Sequence, residues 1–572
     1  MNKPPQIKKI KKYYGIELSD VEREDAVLEW RHRGSYLLNE EGEIIGLNLV
    51  FKQISGIGKL SGLTQLRTLY LGSNQISDIG KLSGLTQLRT LYLGSNQISD
   101  IGNLSVLTQL EILDLSDNEI SDIGNLSVLT QLQILGLSKN RISEVNLPFL
   151  HCFKELNELE LHGNPIQKIP KEIFDKNENV LKPVRDYLED LEKGKAQNRV
   201  LKVIFIGNGS VGKTQIAKRL FEQKNYTFNS QHDSTHAIAL LQRALGEVQL
   251  QLWDFAGQDI YHATHRLFMQ TRALFVLVWD VVNERADFHE WKNKEYKNEK
   301  LLYWLEYAAC FGQGSPILVL QNKVDSLAER RKGMLKKAQE YYKKHYPILD
   351  FLQVSAKTGW GFQFLEKTLQ KHFRENEELR VHLQQELPTS WLNVREQVLS
   401  LQEEENKTLL VVDFEVLCGQ EDVLKSANTI LDYLHDTGVL YYRSGYFDNH
   451  IILNQGWAIE AIYKILDRES DYAEMLLQQK GQLDYEDLCS IWEKNGDGER
   501  KLFMDFMLST ELCFEVTENK RYKIPLKERS FVVPAFLPPQ KPEEVLYWEE
   551  VRNIGVFEEK IDYRFFPFVF VQ

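Results

Sequence analysis

Residues 59–80 read KLSGLTQLRTLYLGSNQISDIG, and residues 81–102 repeat them letter for letter. Residues 103–124 and 125–146 are close variants, and partial copies, EIIGLNLVFKQISGIG and LNELELHGNPIQKIP, flank the array. A period of 22 residues leaves few ways to fold. Each unit carries L-x-x-L-x-L-x-x-N around one short strand, such as Leu69-Tyr70-Leu71. A lone unit has nothing against which to bury its leucines, so units stack and share one continuous core.

This is the leucine-rich-repeat pattern, and it predicts a solenoid over residues 42–170 behind an N-terminal helical cap over 1–41. Asn74, Asn96, Asn118, Asn140 and Asn164 sit where the chain leaves each strand, and their amides are expected to bond neighbouring backbone in a ladder. Lys52 takes that place in the first copy. Tyr70, Tyr92, Asp114, Gly136 and Glu160 lie between the strand leucines and face the concave surface, where a solenoid can take a protein partner. The plainer expectation for Tyr70 and Tyr92 is that they stack on each other. The stretch 171–197, KEIFDKNENVLKPVRDYLEDLEKGKAQ, reads as a cap and a linker helix, with a hinge near Gly194.

A second constraint is GNGSVGKT, Gly207 to Thr214, which fits G-x-x-x-x-G-K-[ST]. VLKVIFIG before it reads as a buried strand and GKTQIAKRLF after it as a helix start, the context this pattern needs. The amides of Gly207, Asn208, Gly209, Ser210, Val211 and Gly212 are placed to cradle phosphates at a helix N-terminus. Lys213 reaches the terminal phosphates, the Thr214 hydroxyl is a candidate Mg²⁺ ligand, and Gly209 leaves room beside the last phosphate.

The loop alone does not choose between ATP and GTP. The downstream strands do. VQLQLWDFAGQD alternates and then gives Asp254-x-x-Gly257; ALFVLVWD is a buried run; PILVLQNKVD ends in Asn322-Lys323-Val324-Asp325; FLQVSAKT carries Ser355-Ala356-Lys357. Each motif falls at the C-terminal end of a strand, where open α/β sheets hold ligands. Residues 198–375 therefore resemble the small GTPases. The resemblance implies that Asp325 takes the guanine N1–H and N2–H₂, that Lys323 lies along the base, and that Asn322 ties the loops together. Ser355, Ala356 and Lys357 would complete the base pocket. Adenine lacks those donors and would leave Asp325 desolvated without partners, at about 1–3 kcal/mol.

The same resemblance implies hydrolysis. Asp254 would hold Mg²⁺, Gly257 would sense the γ-phosphate, and Gln258 would orient the attacking water. Thr235, in HDSTHAIAL, is the candidate to close on Mg²⁺, although Ala237 stands where the family often has glycine. Arg266 and Arg272 follow the second switch, and Arg272 is the candidate arginine for donation across a dimer. His232, His236, His262 and His265 cluster in sequence around the switches, without a cysteine or close carboxylate to complete a zinc set.

Residues 376–540 carry no catalytic motif and read as winged-helix-like units. Their helices are acidic, net charge is -13, and no long basic run exists, so protein packing rather than nucleic-acid binding is expected. With WDFAGQDIYHATH, LHDTGVLYY and LNQGWAIEAIY, the whole order resembles the Roco family: leucine-rich repeats, a Roc GTPase domain, then COR. The implied fold is multidomain α/β: a repeat solenoid, a phosphate-loop GTPase with a mostly parallel sheet, and an α+β winged-helix-like COR domain. Family members are Mg²⁺-dependent GTPases, often homodimers through COR. The chain reaches YRFFPFVFVQ early in what should be the second half of COR, so 541–572 reads as its truncated start and dimerisation is in doubt. No Gly-rich ATP loop with later HRD and DFG sets is present, so the resemblance is to the bacterial type without a kinase. A GTP/GDP-binding scaffold with negligible turnover is the alternative.

Hydrophobic residues make up 43% of the chain, and no apolar run approaches the ~18 residues needed to span a bilayer. The basic N-terminus lacks the apolar core of a signal peptide. Five scattered cysteines without a C-x-x-C pair suggest a reduced, cytoplasmic chain with buried thiols, and the Roco resemblance implies a part in signal transduction.

Overall fold

The computed structural model describes residues 5–21, 34–176, 178–222, 226–228, 238–255, 273–291, 294–312, 314–466, 470, 472–516 and 525–537. By contact it forms two units, and the boundaries between them are not one cut in the chain: residues 1–197, 385–393 and 418–433 make the first, and the remainder makes the second.

The first unit is built on one eight-stranded sheet with strands in sequence order. Helix α1 (Pro5–Tyr14) precedes β1 (Ser19–Val21), β2 (Ser35–Leu38) and β3 (Ile44–Asn48). The expectation of a purely helical N-terminal cap is thus corrected: two of its segments are strands, and β1 pairs parallel with β2. Then come β4 (Thr68–Tyr70), β5 (Thr90–Tyr92), β6 (Ile112–Asp114), β7 (Ile134–Gly136) and β8 (Glu158–Glu160), all parallel and each offset by a whole repeat. Leu69, Leu91, Leu113, Leu135 and Leu159 are fully buried in the stacked core.

Each asparagine does what its position predicts. Asn96 Nδ2 donates to Leu71 O at 3.0 Å and Leu93 O at 2.9 Å, while its Oδ1 accepts from the Ile76 amide at 3.0 Å. Asn118 repeats this one rung on, bonding Leu93 O, Leu115 O and the Ile98 amide. The residue before each asparagine turns left-handed, at φ 53° for Ser73, 55° for Ser95 and 56° for Asp117. On the concave side the rings of Tyr70 and Tyr92 stack with centroids 4.6 Å apart.

Helix α2 (Leu181–Lys193) is a structural part of this unit rather than a free linker. Its apolar stripe of Leu181, Val184, Tyr187 and Leu188 is buried. Tyr187 Oη donates to Lys168 O at 3.0 Å and Glu386 O at 2.5 Å, and burial raises its pKa. Trp391 Nε1 donates to the buried Asp190 Oδ2 at 2.9 Å. Segment Lys195–Gln197 pairs antiparallel with Glu386–Pro388. Two pieces of the 376–540 block are therefore built into the repeat unit.

The second unit contains a six-stranded sheet. Its strands are β9 (Val200–Ile206), β10 (Ile238–Leu245), β11 (Val248–Phe255), β12 (Leu274–Trp279), β13 (Ile317–Gln321) and β14 (Ile348–Gln353), in the order β10-β11-β9-β12-β13-β14. Only β10 runs antiparallel, because Gly246, at φ 66°, turns it directly into β11. Alternation along β9 divides the core in two. Leu201, Val203 and Phe205 pack with helices α3 (Lys213–Glu222) and α5 (Phe362–Glu375), while Ile204 and Ile206 pack with α4 (Leu301–Phe311).

The second core does not stop at α4. It runs on through Tyr441, Phe447 and helices α6 (Gln455–Leu466) and α7 (Asp497–Ser509) in the C-terminal part of the same unit. This part also holds the antiparallel pair Thr408–Leu410 with His450–Ile452, and a small three-stranded sheet ending in Ser530–Val532. Helix–strand alternation there agrees with the α+β, winged-helix-like expectation. Of the five cysteines only Cys418 and Cys513 are buried, so the expectation of uniformly buried thiols does not hold. No described helix is long and apolar enough to cross a membrane.

Candidate nucleotide site

The loop 207–212 leaves the C-terminal end of β9 and enters α3 at Lys213. Its shape depends on two glycines. Gly207 has φ 133°, and a Cβ there would lie 2.1 Å from Val278 O. Gly212 has φ 90°, and a Cβ there would lie 2.4 Å from Asn322 Nδ2. Side chains at either position are excluded by backbone and by the neighbouring motif.

Lys213 is 6% exposed and folds back over the loop. Its Nζ donates to Gly207 O at 2.7 Å and Asn208 O at 2.9 Å. Burial pushes its ammonium down to about 8, against the opposing charge of Asp254. An anion seated in the loop would restore that charge, so the site is electrostatically suited to phosphate. Asp254 is fully buried near the end of β11, paired in register with Phe205 of β9. With the Thr214 hydroxyl in the first turn of α3 it supplies hard oxygen donors, the type Mg²⁺ takes.

The second half of the site comes from β13 and β14. Asn322 is 4% exposed and joins three motifs. Its Nδ2 donates to Val211 O at 2.8 Å, its backbone amide donates to Trp279 O at 2.9 Å, and its Oδ1 accepts from the Ala356 amide at 3.1 Å. Ser355 Oγ donates to Asp325 Oδ1 at 2.6 Å and accepts from the Thr358 amide at 2.9 Å, which aims the carboxylate. Lys323, at φ 60°, places its Nζ 2.8 Å from Asp280 Oδ2. The structure thus brings together the phosphate loop, Asp254, Asn322, Lys323, Asp325 and the loop from Ser355 to Lys357.

Four contributors escaped the sequence reading. Arg219 Nε donates to Ala356 O at 2.7 Å and Nη2 to Lys357 O at 3.1 Å, fixing the 355–357 loop from α3. Asp280 caps the turn Val281–Arg285 and meets Lys323. Asn283 and Trp304 reach the phosphate loop itself. Only the Asp280 cap had a sequence signal, an acidic residue at the end of a buried run. Gly257, Gln258, Thr235, Arg266, Arg272 and the four histidines His232, His236, His262 and His265 lie outside the described residues.

Comparison with known proteins agrees with this layout. Residues 202–325 match the family described as Roc, Ras of Complex, and residues 388–537 match the C-terminal of Roc, COR-A domain. Leucine-rich-repeat families match residues 47–98 and 86–128. A Roc-COR-CHAT protease of Runella zeae is 26% identical over 421 residues, covering 69% of this chain and 42% of that protein. The chain therefore spans less than half the length of that relative. The Ras-related protein Rab-21 of Mus musculus is 30% identical over 182 residues, covering 30% of this chain and 73% of that protein. Among solved structures, Methanosarcina barkeri Roco2 RocCORdC bound to GDP aligns with a TM-score of 0.46 at 27% identity, over 60% of this chain and 98% of that one.

Proposed function

This chain belongs to the Roco family, with leucine-rich repeats, a Roc GTPase domain and a COR-A domain, and we propose that it is a Mg²⁺-dependent switch that binds and hydrolyses GTP. What carries the reading is the convergence of Asn322, Asp325 and Ser355 on the far side of the loop that Lys213 closes.

In this reading the amides of 207–212 and Lys213 grip the phosphates. Asp325, held by Ser355, accepts from the guanine edge, with Lys323 along the base and Ala356 and Lys357 closing the pocket. Thr214 and Asp254, joined by Thr235, would hold Mg²⁺, which when bound neutralises charge on the phosphates. Gln258 orients the water, and Arg272 is the candidate to meet developing charge from across a dimer. COR-A and the repeats read the change when the switches release. The concave stripe of Tyr70, Tyr92, Asp114, Gly136 and Glu160 takes a protein partner. A COR-mediated homodimer and a cytoplasmic setting belong to the same proposal, as do the boundaries 42–170, 198–375 and 376–540.

The test is multiple-turnover phosphate release with GTP and with ATP, alongside Lys213→Ala and Gln258→Ala. GTP-selective turnover is expected, abolished in the first variant and slowed on the order of 100-fold or more in the second. Tight GTP binding with no turnover would leave a nucleotide-binding scaffold instead.

A further inference from the structure

The fingerprint G-x-x-x-x-G-K-[ST] leaves position 208 open, yet Asn208 is 7% exposed and hydrogen-bonded through both its amide oxygen and its amide nitrogen. Its Oδ1 accepts from Trp304 Nε1 at 3.0 Å and from the Glu299 amide at 3.0 Å. Its Nδ2 donates to Glu299 O at 2.7 Å. A second tie lies one residue on, where Asn283 Nδ2 donates to Gly209 O at 3.0 Å. Phosphate affinity in such a loop depends on several amides pointing at one centre, so anything that fixes the loop backbone acts on the ligand without touching it.

Trp304 is an unusual anchor for this purpose. It is 3% exposed in the first turn of α4 and packs edge-on to Tyr303 and Tyr307, at 5.4 Å and 5.7 Å between centroids. These rings belong to the core that α4 shares with Tyr441, Phe447 and α6 of the C-terminal part. The indole is therefore held by a packed interior, and its N–H reaches out of that interior to the loop.

We propose that Trp304 is a positioning residue for the phosphate loop. Its indole N–H, acting through Asn208, holds the loop in the shape that grips a diphosphate and so slows release of GDP. The inference rests on the guanine-nucleotide reading of the site.

The experiment is GDP release from the 572-residue chain, followed with a fluorescent GDP, for wild type, Trp304→Phe, Asn208→Ala and the double variant. Phenylalanine removes the donor and part of the buried ring, so the double variant separates the hydrogen bond from the lost packing. Release from Trp304→Phe is expected to be about 3- to 10-fold faster than wild type, the size of one net hydrogen bond. The double variant is expected to release GDP no faster than Asn208→Ala alone, because Trp304 then has no acceptor to hold. A role in packing alone would make the two effects multiply, and that result overturns the proposal. Release from Trp304→Phe at the wild-type rate also overturns it, while leaving the GTPase reading intact. Should Trp304→Phe fail to fold, unchanged release in Asn208→Ala overturns it equally. Absence of any GDP binding by the wild type would remove both readings together.

Discussion

The repeat array and the nucleotide site both rest on buried asparagine side chains, but they use them differently. Asn118 bonds backbone no farther than 25 residues away, and the last rung, where Asn164 meets Leu137 O, reaches only 27. Asn322 ties Val211, 111 residues before it, to Ala356, 34 residues after it, with Arg219 of α3 also reaching that loop. The array is redundant and local. The site is singular and assembled from distant segments. Damage to one rung should therefore stay in the array, whereas damage to one tie in the site should remove function.

The largest expected effect breaks the singular tie. Asn322→Ala leaves Val211 O and the Ala356 amide short of partners and frees two loops. GTP affinity should fall by about 2–4 kcal/mol, roughly 30- to 1,000-fold, measured by calorimetry. Unchanged affinity would mean that the two loops hold their shapes without it.

Next comes the matching change in the array. Asn118→Ala strips Leu93 O, Leu115 O and the Ile98 amide of a buried partner and should cost about 2–3 kcal/mol of array stability. Nucleotide affinity should not move. A loss of affinity here would contradict the division between local and distant wiring.

A smaller effect concerns pH. Lys202 lies on the face of β9 that joins the shared core, 5% exposed, with Nζ 4.1 Å from the centre of the Trp253 ring. Gly438, at φ 79°, closes over both: a Cβ there would come within 2.8 Å of Lys202 Nζ and 3.1 Å of Trp253. Burial pushes the Lys202 ammonium down from 10.5 to about 7, outweighing the attraction of the ring. Below pH 7 both the folded and unfolded chains carry this proton, and the folded chain bears the full cost of burying it. Between pH 7 and 10.5 only the unfolded chain keeps it, so this group makes stability rise with pH. Lys202→Met should be more stable than wild type by about 1–3 kcal/mol at pH 6, with the gap closing toward pH 10, in thermal melts. A gap independent of pH would show that the lysine is not buried as a cation.

The smallest effect sharpens the comparison from the other side. Deleting residues 81–102 joins two repeats in the same register, because 59–80 is identical. The array should melt a few degrees lower, since it loses one interface, and GTP affinity should stay within about twofold.

The same contrast explains what the sequence made legible. Repeats declare themselves by period, and Gly207, Lys213, Asn322 and Asp325 by fixed spacing at strand ends. Trp391 meeting Asp190 across 201 residues has no such signature, nor has Trp304 meeting Asn208 across 96. Both pairs are set by tertiary packing, in which a tryptophan buried for its apolar area also finds one polar partner. A tryptophan in a helical pattern reads as core, and core is what it is; the extra hydrogen bond is invisible until the fold brings the partner in. For the same reason α2 read as a linker, since its amphipathic stripe predicts a buried face but does not name what covers it.

Selection of guanine by Asp325 is tested most directly by exchanging the base. Affinities of wild type and Asp325→Asn should be measured for GTP, ATP and xanthosine triphosphate. Wild type should prefer GTP over ATP by at least about 100-fold, and the variant should lose GTP and gain the xanthine nucleotide, whose base offers an acceptor where guanine offers a donor. A variant that still prefers GTP would contradict the account, because Asp325 would then not be what reads the base.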